Sequence, residues 1–366
     1  MPVYGGESLF FIILSFDGKA ARFPYDQIMR YYDSILETIG ETPLVRWGNR
    51  RIFLKLESFN PGLSVKDRIA VRMIAAAEKN GSLRPGGTII ECTSGNTGFS
   101  VAMVAAKRGY RCILTTKDKQ AKEKVAAMRA LGAEVILCRS DVPAAHPESY
   151  QSVAKALHAR TPGSVLLNQY DNPINTEAHY QSLGPEIWEQ TEGKITAFVA
   201  AMGSCGTLCG TAAYLKNQNP KVRVIGVDGA GSILKKLYET GEIDACEVRP
   251  YLTEGMGRDN RPGNFNPDVI DQVVKVSDYD AAATARRLAR EEGIFVGWTS
   301  GATAFAAQSL SLSPKDVVVV LCADHGSKYL SKIFDDEWMI RHGLLQTPDL
   351  PEPGHSHFVP DVKLFA

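Results

Sequence analysis

At 366 residues the chain is long enough for two compact lobes around a sizeable buried core. Its apolar fraction of 44% and charged fraction of 22% are those of an ordinary globular protein, and Lys+Arg equals Asp+Glu at 41 each. That balance leaves no global field favouring nucleic acid or an anionic membrane, and the seven cysteines, an odd number partly inside apolar runs, argue against a disulfide framework.

Leu9–Leu14 is the nearest approach to a signal segment, but it lacks a preceding basic stretch and a small-residue cleavage pattern. It reads as a short strand or interface segment. No stretch reaches the ~18 apolar residues of a membrane span. The spacing predicts a helix from Ser64 to about Lys79, stopping before Gly81, with Ser64 and Asp67 spaced as a capping box. Thr88–Cys92 reads as a strand, Phe99–Lys107 as a helix ending at Gly109, and Cys112–Thr115 as a strand. Ala121–Leu131 reads as a helix with Gly132 just past its end, and Glu134–Leu137 as a strand. This βαβαβ run implies a parallel sheet covered by helices. A second series has strands near Ile195–Met202, Val222–Val227, Gln272–Val276 and Val317–Leu321, with helices such as Asp280–Glu292 between them. The expected division is an extension over 1–32, a smaller α/β lobe over 53–187, a larger lobe over 33–52 and 188–344, and a tail over 345–366.

Three segments carry chemistry rather than architecture. Lys66 lies in the first turn of its helix, where the positive end of the helix dipole favours a neutral, nucleophilic amine. Thr93–Gly98 connects a strand to a helix and gathers hydroxyls, an amide and backbone N–H groups into a cradle for a carboxylate or phosphate. Gly203–Thr207 follows the strand ending near Met202 and has the same character, its glycines permitting close backbone approach. It lacks the Lys-Ser/Thr pair of a P-loop, and Gly229-Ala230-Gly231 has Leu234 where a dinucleotide fingerprint needs its third glycine. Cys205 and Cys209 are one helical turn apart, but no second pair has zinc-site spacing, so no metal is expected.

The order of these segments resembles that of fold-type II pyridoxal-phosphate enzymes, specifically the cysteine synthase and cystathionine β-synthase family. The resemblance runs from Ser34–Val45 to about Met339 through Ser64–Arg68, Thr93–Gly98, Asn168-Gln169 and His179–Trp188. It implies two doubly wound α/β lobes, as in the tryptophan synthase β-subunit, with pyridoxal 5'-phosphate in the cleft between them. It further implies that Lys66 is the Schiff-base lysine and α-proton carrier, and that Asn96 meets the cofactor's ring hydroxyl. Gly203, Ser204, Cys205, Gly206 and Thr207 correspond to the phosphate loop, and Thr299 to the hydroxyl at the pyridine nitrogen. Thr93, Ser94, Thr97 and Gln169 correspond to the substrate carboxylate site.

The implied activity is β-replacement on serine or an activated serine (O-acetyl or O-phospho) through an aminoacrylate, with homocysteine or sulfide as nucleophile. An amine nucleophile, simple β-elimination and a non-catalytic binding descendant are the alternatives. A neutral hydroxyl at the pyridine nitrogen makes the ring a milder electron sink, which suits loss of a β-leaving group. Asp324–Met339, Glu254–Asp259 and Glu292–Gly297 lean toward cystathionine β-synthase. No His or Cys precedes Cys92, and little sequence follows Met339, so neither haem nor a paired regulatory module is expected. A cytoplasmic homodimer acting on small molecules, without nucleic acid or membrane, completes the expectation. Leu63, Cys205, Trp298, Thr299, Arg258 and Arg261 depart from the family pattern, and Arg258 and Arg261 are either solvated loop charges or anion ligands.

Overall fold

The structure is a computed structural model describing residues 10–14, 20–24, 31–48, 51–143 and 145–347. The chain divides into two compact units, 1–38 and 39–366. In the first, β1 (Phe10–Leu14) pairs antiparallel with β2 (Ala20–Pro24), and one 3-10 turn spans Ile35–Thr38. The apolar segment at Leu9–Leu14 is thus largely a strand, although most of the N-terminal extension and the tail beyond 347 lie outside the described residues.

The second unit begins with β3 (Leu44–Trp47) and β4 (Ile52–Leu56). The run α1 (Lys66–Lys79), β5 (Thr88–Cys92), α2 (Asn96–Arg108), β6 (Arg111–Lys117), α3 (Lys122–Ala130), β7 (Glu134–Cys138), α4 (Tyr150–Arg160) and β8 (Ser164–Leu166) then builds a four-stranded parallel sheet, ordered β7-β6-β5-β8. Gly109 takes the left-handed conformation (φ 73°) that closes α2 where the sequence places its end. There follow α5 (Pro173–Gln181), α6 (Leu183–Gln190), β9 (Ala197–Ala201), α7 (Gly206–Gln218), β10 (Arg223–Gly229) and α8 (Leu234–Thr240). The chain continues through β11 (Gln272–Val276), α9 (Asp278–Glu292), α10 (Trp298–Gln308), β12 (Val318–Cys322) and α11 (Asp336–Arg341). Their six-stranded sheet, ordered β11-β10-β9-β12-β4-β3, is parallel except for the edge pair β3/β4.

The larger sheet is buried on both faces, and strand alternation sorts its side chains. Val199, Val318 and Val320 enter a core with Ala281, Ala285 and Trp298, whereas Phe198, Val319 and Leu321 enter another with Ile187, Leu208 and Leu237. Each fully buried aliphatic side chain stabilises the fold by about 1.5–3 kcal/mol relative to exposure.

Two limits of the expected division change. The strand Ile52–Leu56 pairs with Val318–Cys322, so the segment from 53 belongs to the larger sheet. Helix α5 packs closely on α7: a Cβ on Gly210 would lie 2.1 Å from the Thr176 carbonyl oxygen, so 173–181 also sits with the larger sheet's helices. The capping box is likewise not formed. Val65 is the N-cap and makes no side-chain cap bond, while Asp67 turns inward to accept from Gly62 N and Ser100 Oγ.

A buried charge network anchors α1. Arg68 donates to Glu57 through Nε and Nη2 (2.7 and 2.8 Å) and to Glu186 (2.9 Å), while Lys55, fully buried in β4, also pairs with Glu186. Bidentate geometry and several partners keep these charges satisfied away from water. The start of α1 is thereby fixed against α6 and the larger sheet, which sets where Lys66 emerges.

Candidate active site

Lys66 opens α1 beside the exit of β12. Val65 N donates to Ala323 O (2.9 Å), His325 N donates to Leu63 O (3.2 Å), and Ser64 forms an isolated bridge with Asp324. Burial lowers the Lys66 ammonium to about 8, opposed by the negative charges of Asp324 and Glu57. Desolvation is the main cause, so the amine is primed by its surroundings more than by the helix end.

Asn96 begins α2 and is held from two sides. Its Nδ2 donates to Asp324 Oδ2 (2.7 Å) and its Oδ1 accepts from Lys328 Nζ (2.9 Å). Tyr329 OH also donates to Asp324 Oδ2 (2.7 Å), and Lys328 donates to Gly62 O (2.8 Å). The Asn96 side chain also acts on the Tyr329 hydroxyl, so amide, carboxylate and phenol form one cluster. Gly297 makes this packing possible: a Cβ there would lie 2.0 Å from Asp324 Oδ1. Burial also lowers Lys328 to about 8.

The Thr93–Gly98 turn is stapled by its own side chains. Thr93 Oγ1 accepts from Gly95 N (2.9 Å) and Gly98 N (3.0 Å), so this hydroxyl shapes the loop. Thr97 Oγ1 donates to Gln169 Oε1 (2.6 Å), and Gln169 Nε2 donates to Glu91 Oε1 and Cys92 O, both at 3.0 Å. Burial raises the Glu91 carboxyl to about 8, and its Oε2 is buried without a partner. Ser94 and Asn96 are half-buried while Thr93, Thr97 and Gln169 are buried.

Gly203–Thr207 leads into α7, whose first N–H groups have no intrahelical acceptors. Cys205 takes the left-handed conformation (φ 64°) that glycine adopts more easily. A Cβ on Gly203 would lie 2.5 Å from Gly255 O, and one on Gly206 would lie 2.1 Å from Asn175 Oδ1. Asn175 Nδ2 bonds Gln169 O (2.7 Å) and Ser204 Oγ (3.1 Å), and Thr207 Oγ1 meets His179 Nε2 at 3.0 Å. Burial and the charges of Lys66 and Arg68 hold His179 neutral, well below its usual range. Thr299 is buried in the first turn of α10, with its Cγ2 3.5 Å from where a Cβ on Gly255 would stand.

These contacts close a ring. Lys66 lies beside Asp324, which holds Asn96 and packs on Gly297. Thr299 follows two residues later against Gly255, Gly255 meets Gly203, and Ser204 reaches Gln169 through Asn175. All the candidate residues from the sequence therefore converge. Asp324, Lys328, Asn175, Gly255 and Glu91 are the members to which sequence reasoning gave no role. Their signal lay only in the segments around them, since none has a local pattern of its own.

A lysine lowered by burial, an amide and a glycine-lined helix terminus brought together on a doubly wound α/β protein match the arrangement of fold-type II pyridoxal-phosphate enzymes. The comparisons agree. A family model described as "Pyridoxal-phosphate dependent enzyme" matches residues 35–324, and the chain belongs to that family. It is 41% identical over 335 residues to cystathionine β-synthase of Apis mellifera, covering 88% of this chain and 64% of that one. It is 41% identical over 313 residues to cysteine synthase B of Salmonella typhimurium, covering 83% and 97%. The chain thus spans just under two thirds of the honeybee synthase and nearly all of the bacterial one. Among solved structures, O-ureido-L-serine synthase superposes with a TM-score of 0.76 at 35% identity, covering 85% of this chain and 99% of that one. A hydrogen sulfide-producing enzyme from Fusobacterium nucleatum gives 0.75 at 34%, covering 82% and 100%.

Among the described residues no helix is long and apolar enough to cross a membrane, and no group of His, Cys, Asp or Glu side chains could hold a metal.

Proposed function

We propose that this chain catalyses β-replacement on L-serine or an activated serine, with a thiol or sulfide as nucleophile. The observation that carries the reading is the lowered, half-buried Lys66 amine in a ring with Asn96 and the Gly203–Thr207 loop. The donor set fits pyridoxal phosphate: Lys66 Nζ for its carbonyl carbon, the Asn96 amide for its ring hydroxyl, and the start of α7 for its phosphate. Thr299 supplies a neutral hydroxyl for the ring nitrogen. When bound, the cofactor supplies an electron sink that acidifies the α-carbon of a linked amino acid.

The protein's own part follows from these positions. Ser94, Thr97 and Gln169 hold the substrate carboxylate, with Thr93 shaping their loop and Glu91 orienting Gln169. With the cofactor and substrate bound, Lys66 Nζ would be the base placed to take the α-proton. Lys66 would also be placed to return a proton to Cα once a nucleophile has replaced the group on Cβ. Asn96–Asp324 and Lys124–Glu254 (2.6 Å) tie α2 and α3 to segments of the larger sheet beside Lys66.

Two lobes built on the four- and six-stranded sheets form part of this reading, as does a cytoplasmic homodimer. The free, mostly buried cysteines suit a reducing compartment, and exposed Tyr31, Tyr32 and Ile35 suit a partner surface.

The test is product analysis. Holoenzyme given serine, O-acetylserine or O-phosphoserine with homocysteine or sulfide should yield cystathionine or cysteine with stoichiometric release of water, acetate or phosphate. Pyruvate formed equally well without any nucleophile would replace this reading with β-elimination, and a product bonded through nitrogen would identify an amine nucleophile.

A further inference from the structure

The segment after Glu254 is fixed by its backbone. Gly257 N donates to Met202 O (2.8 Å), Arg258 N to Ser232 Oγ (2.9 Å), and Ile233 N to Arg258 O (3.0 Å). The Arg258 side chain is thereby directed between the two candidate loops. Its guanidinium carbon lies 4.1 Å from the centroid of Tyr170, the neighbour of Gln169. Its charge acts on the thiols of Cys92, just before Thr93, and of Cys205, inside the Gly203–Thr207 loop.

Arg258 is 8% exposed; Nη2 donates to Asn260 Oδ1, the guanidinium also bonds the Tyr150 hydroxyl and is acted on by the Asp259 charge, and Nε is buried without a hydrogen-bond partner. The other buried arginines differ. Arg68 pairs with Glu57 and Glu186, and Arg286 pairs with Asp336. Among the described residues Arg258 forms no salt bridge with a carboxylate. A buried guanidinium with no carboxylate in bridging contact has donors that an arriving anion can engage in a desolvated setting.

Two lysines extend the positive surface. Lys117, half-buried at the end of β6, lies 5.4 Å from the centroid of Tyr150, whose hydroxyl meets that of Tyr170 at 3.0 Å. Lys119 lies over Tyr251 at 5.9 Å. Burial lowers Lys117, the charges of Lys119 and Arg258 add to this, and Asp259 opposes it. Arg261 stands apart, exposed and 5.6 Å from the ring centroid of Phe265.

We propose that Arg258, supported by Lys117 and Lys119, is an oxyanion subsite at the mouth of the active site. It takes a phosphate or carboxylate carried by the leaving group or by the nucleophile, and it sets which second substrate this chain accepts. The planar guanidinium offers paired N–H donors to such a group. The proposal rests on the β-replacement reading.

The test uses holoenzyme, wild-type and Arg258→Met, with Arg258→Lys as the conservative variant. Initial rates of phosphate or acetate release are compared for O-phosphoserine and O-acetylserine. Rates of thioether formation are compared for homocysteine and the uncharged thiol 2-mercaptoethanol. Loss of the guanidinium should lower one of the two anionic-to-neutral ratios of kcat/KM by roughly tenfold to a hundredfold, with partial recovery in Arg258→Lys. A fall in the first ratio assigns the anion to the leaving group, and a fall in the second to the nucleophile. Equal losses on all four substrates, or no loss on any, would overturn the subsite while leaving β-replacement intact. Should Arg258→Met not accumulate as folded holoenzyme, Lys117→Met carries the same ratios at a smaller expected change. Wild-type holoenzyme that turns over none of the serine derivatives would remove the β-replacement reading, and the subsite with it.

Discussion

The two loops that frame the site both combine hydrogen bonds with close packing, and they differ in which contact is the less yielding. Thr93–Gly98 keeps its shape through side-chain hydrogen bonds, from Gly95 and Gly98 N–H to Thr93 and from Thr97 to Gln169. Gly203–Thr207 keeps its shape through steric contact, with Gly203 against Gly255 O and Gly206 against Asn175. Hydrogen bonds can break and re-form as substrate enters, whereas a backbone wedged against its neighbours cannot shift without disrupting them. The first construction suits a loop that engages an exchanging amino acid; the second suits a permanent phosphate seat.

This contrast gives different outcomes for small changes in each loop. Gly206→Ala should have the largest effect. The added methyl displaces Asn175 and with it the bonds to Gln169 O and Ser204 Oγ. Losing about two hydrogen bonds should weaken cofactor affinity by roughly a hundredfold, read by titrating apoprotein with pyridoxal phosphate. Thr93→Val should instead leave cofactor affinity close to wild type and raise the KM for the amino acid about tenfold, since two loop N–H groups lose their acceptor. Equal effects of both substitutions on cofactor affinity would break the comparison.

The pH dependence sharpens it further. With Lys66 lowered to about 8, the neutral amine is a minority at neutral pH. The rate at which apoprotein captures the cofactor should therefore rise about tenfold per pH unit below that value and level off above it. Stopped-flow absorbance across the range checks this.

A further prediction concerns stability rather than turnover, at Glu91. Its folded-state pKa is raised to about 8 by burial, so the folded chain binds more protons than the unfolded one between the two values. Its contribution to stability is complete below the ordinary carboxylate pKa and declines as pH rises toward 8. Glu91→Gln lacks that decline, so its Tm relative to wild type should climb over the same window. A difference independent of pH would contradict the assignment.

The β5–β7 run was readable because its strands are apolar and its helices end at glycines such as Gly109 and Gly132. Strands β3 and β4 were not. Lys55 interrupts β4 with a charge that reads as surface, yet its Nζ is buried against Thr42 O and Gln190 Oε1 (2.5 and 2.8 Å). β8 is only Ser164–Leu166, too short for periodicity to register. In the site, Lys66, Asn96 and the two loops were found from their order along the chain. The residues that hold them were hidden by distance: Asn96 meets Asp324 across 228 positions and Lys328 across 232. Arg258 was visible as a departure, but burial alone separates it from exposed Arg261.

The central claim is that Lys66 is the residue that holds the cofactor. Wild-type and Lys66→Ala protein should be loaded with pyridoxal phosphate, dialysed exhaustively and compared by visible absorption, with the folded state of each checked by circular dichroism. Wild type should retain a visible band that survives dialysis, and folded Lys66→Ala should lose it. An equal, dialysis-resistant band in both proteins, or none in either, would contradict the account.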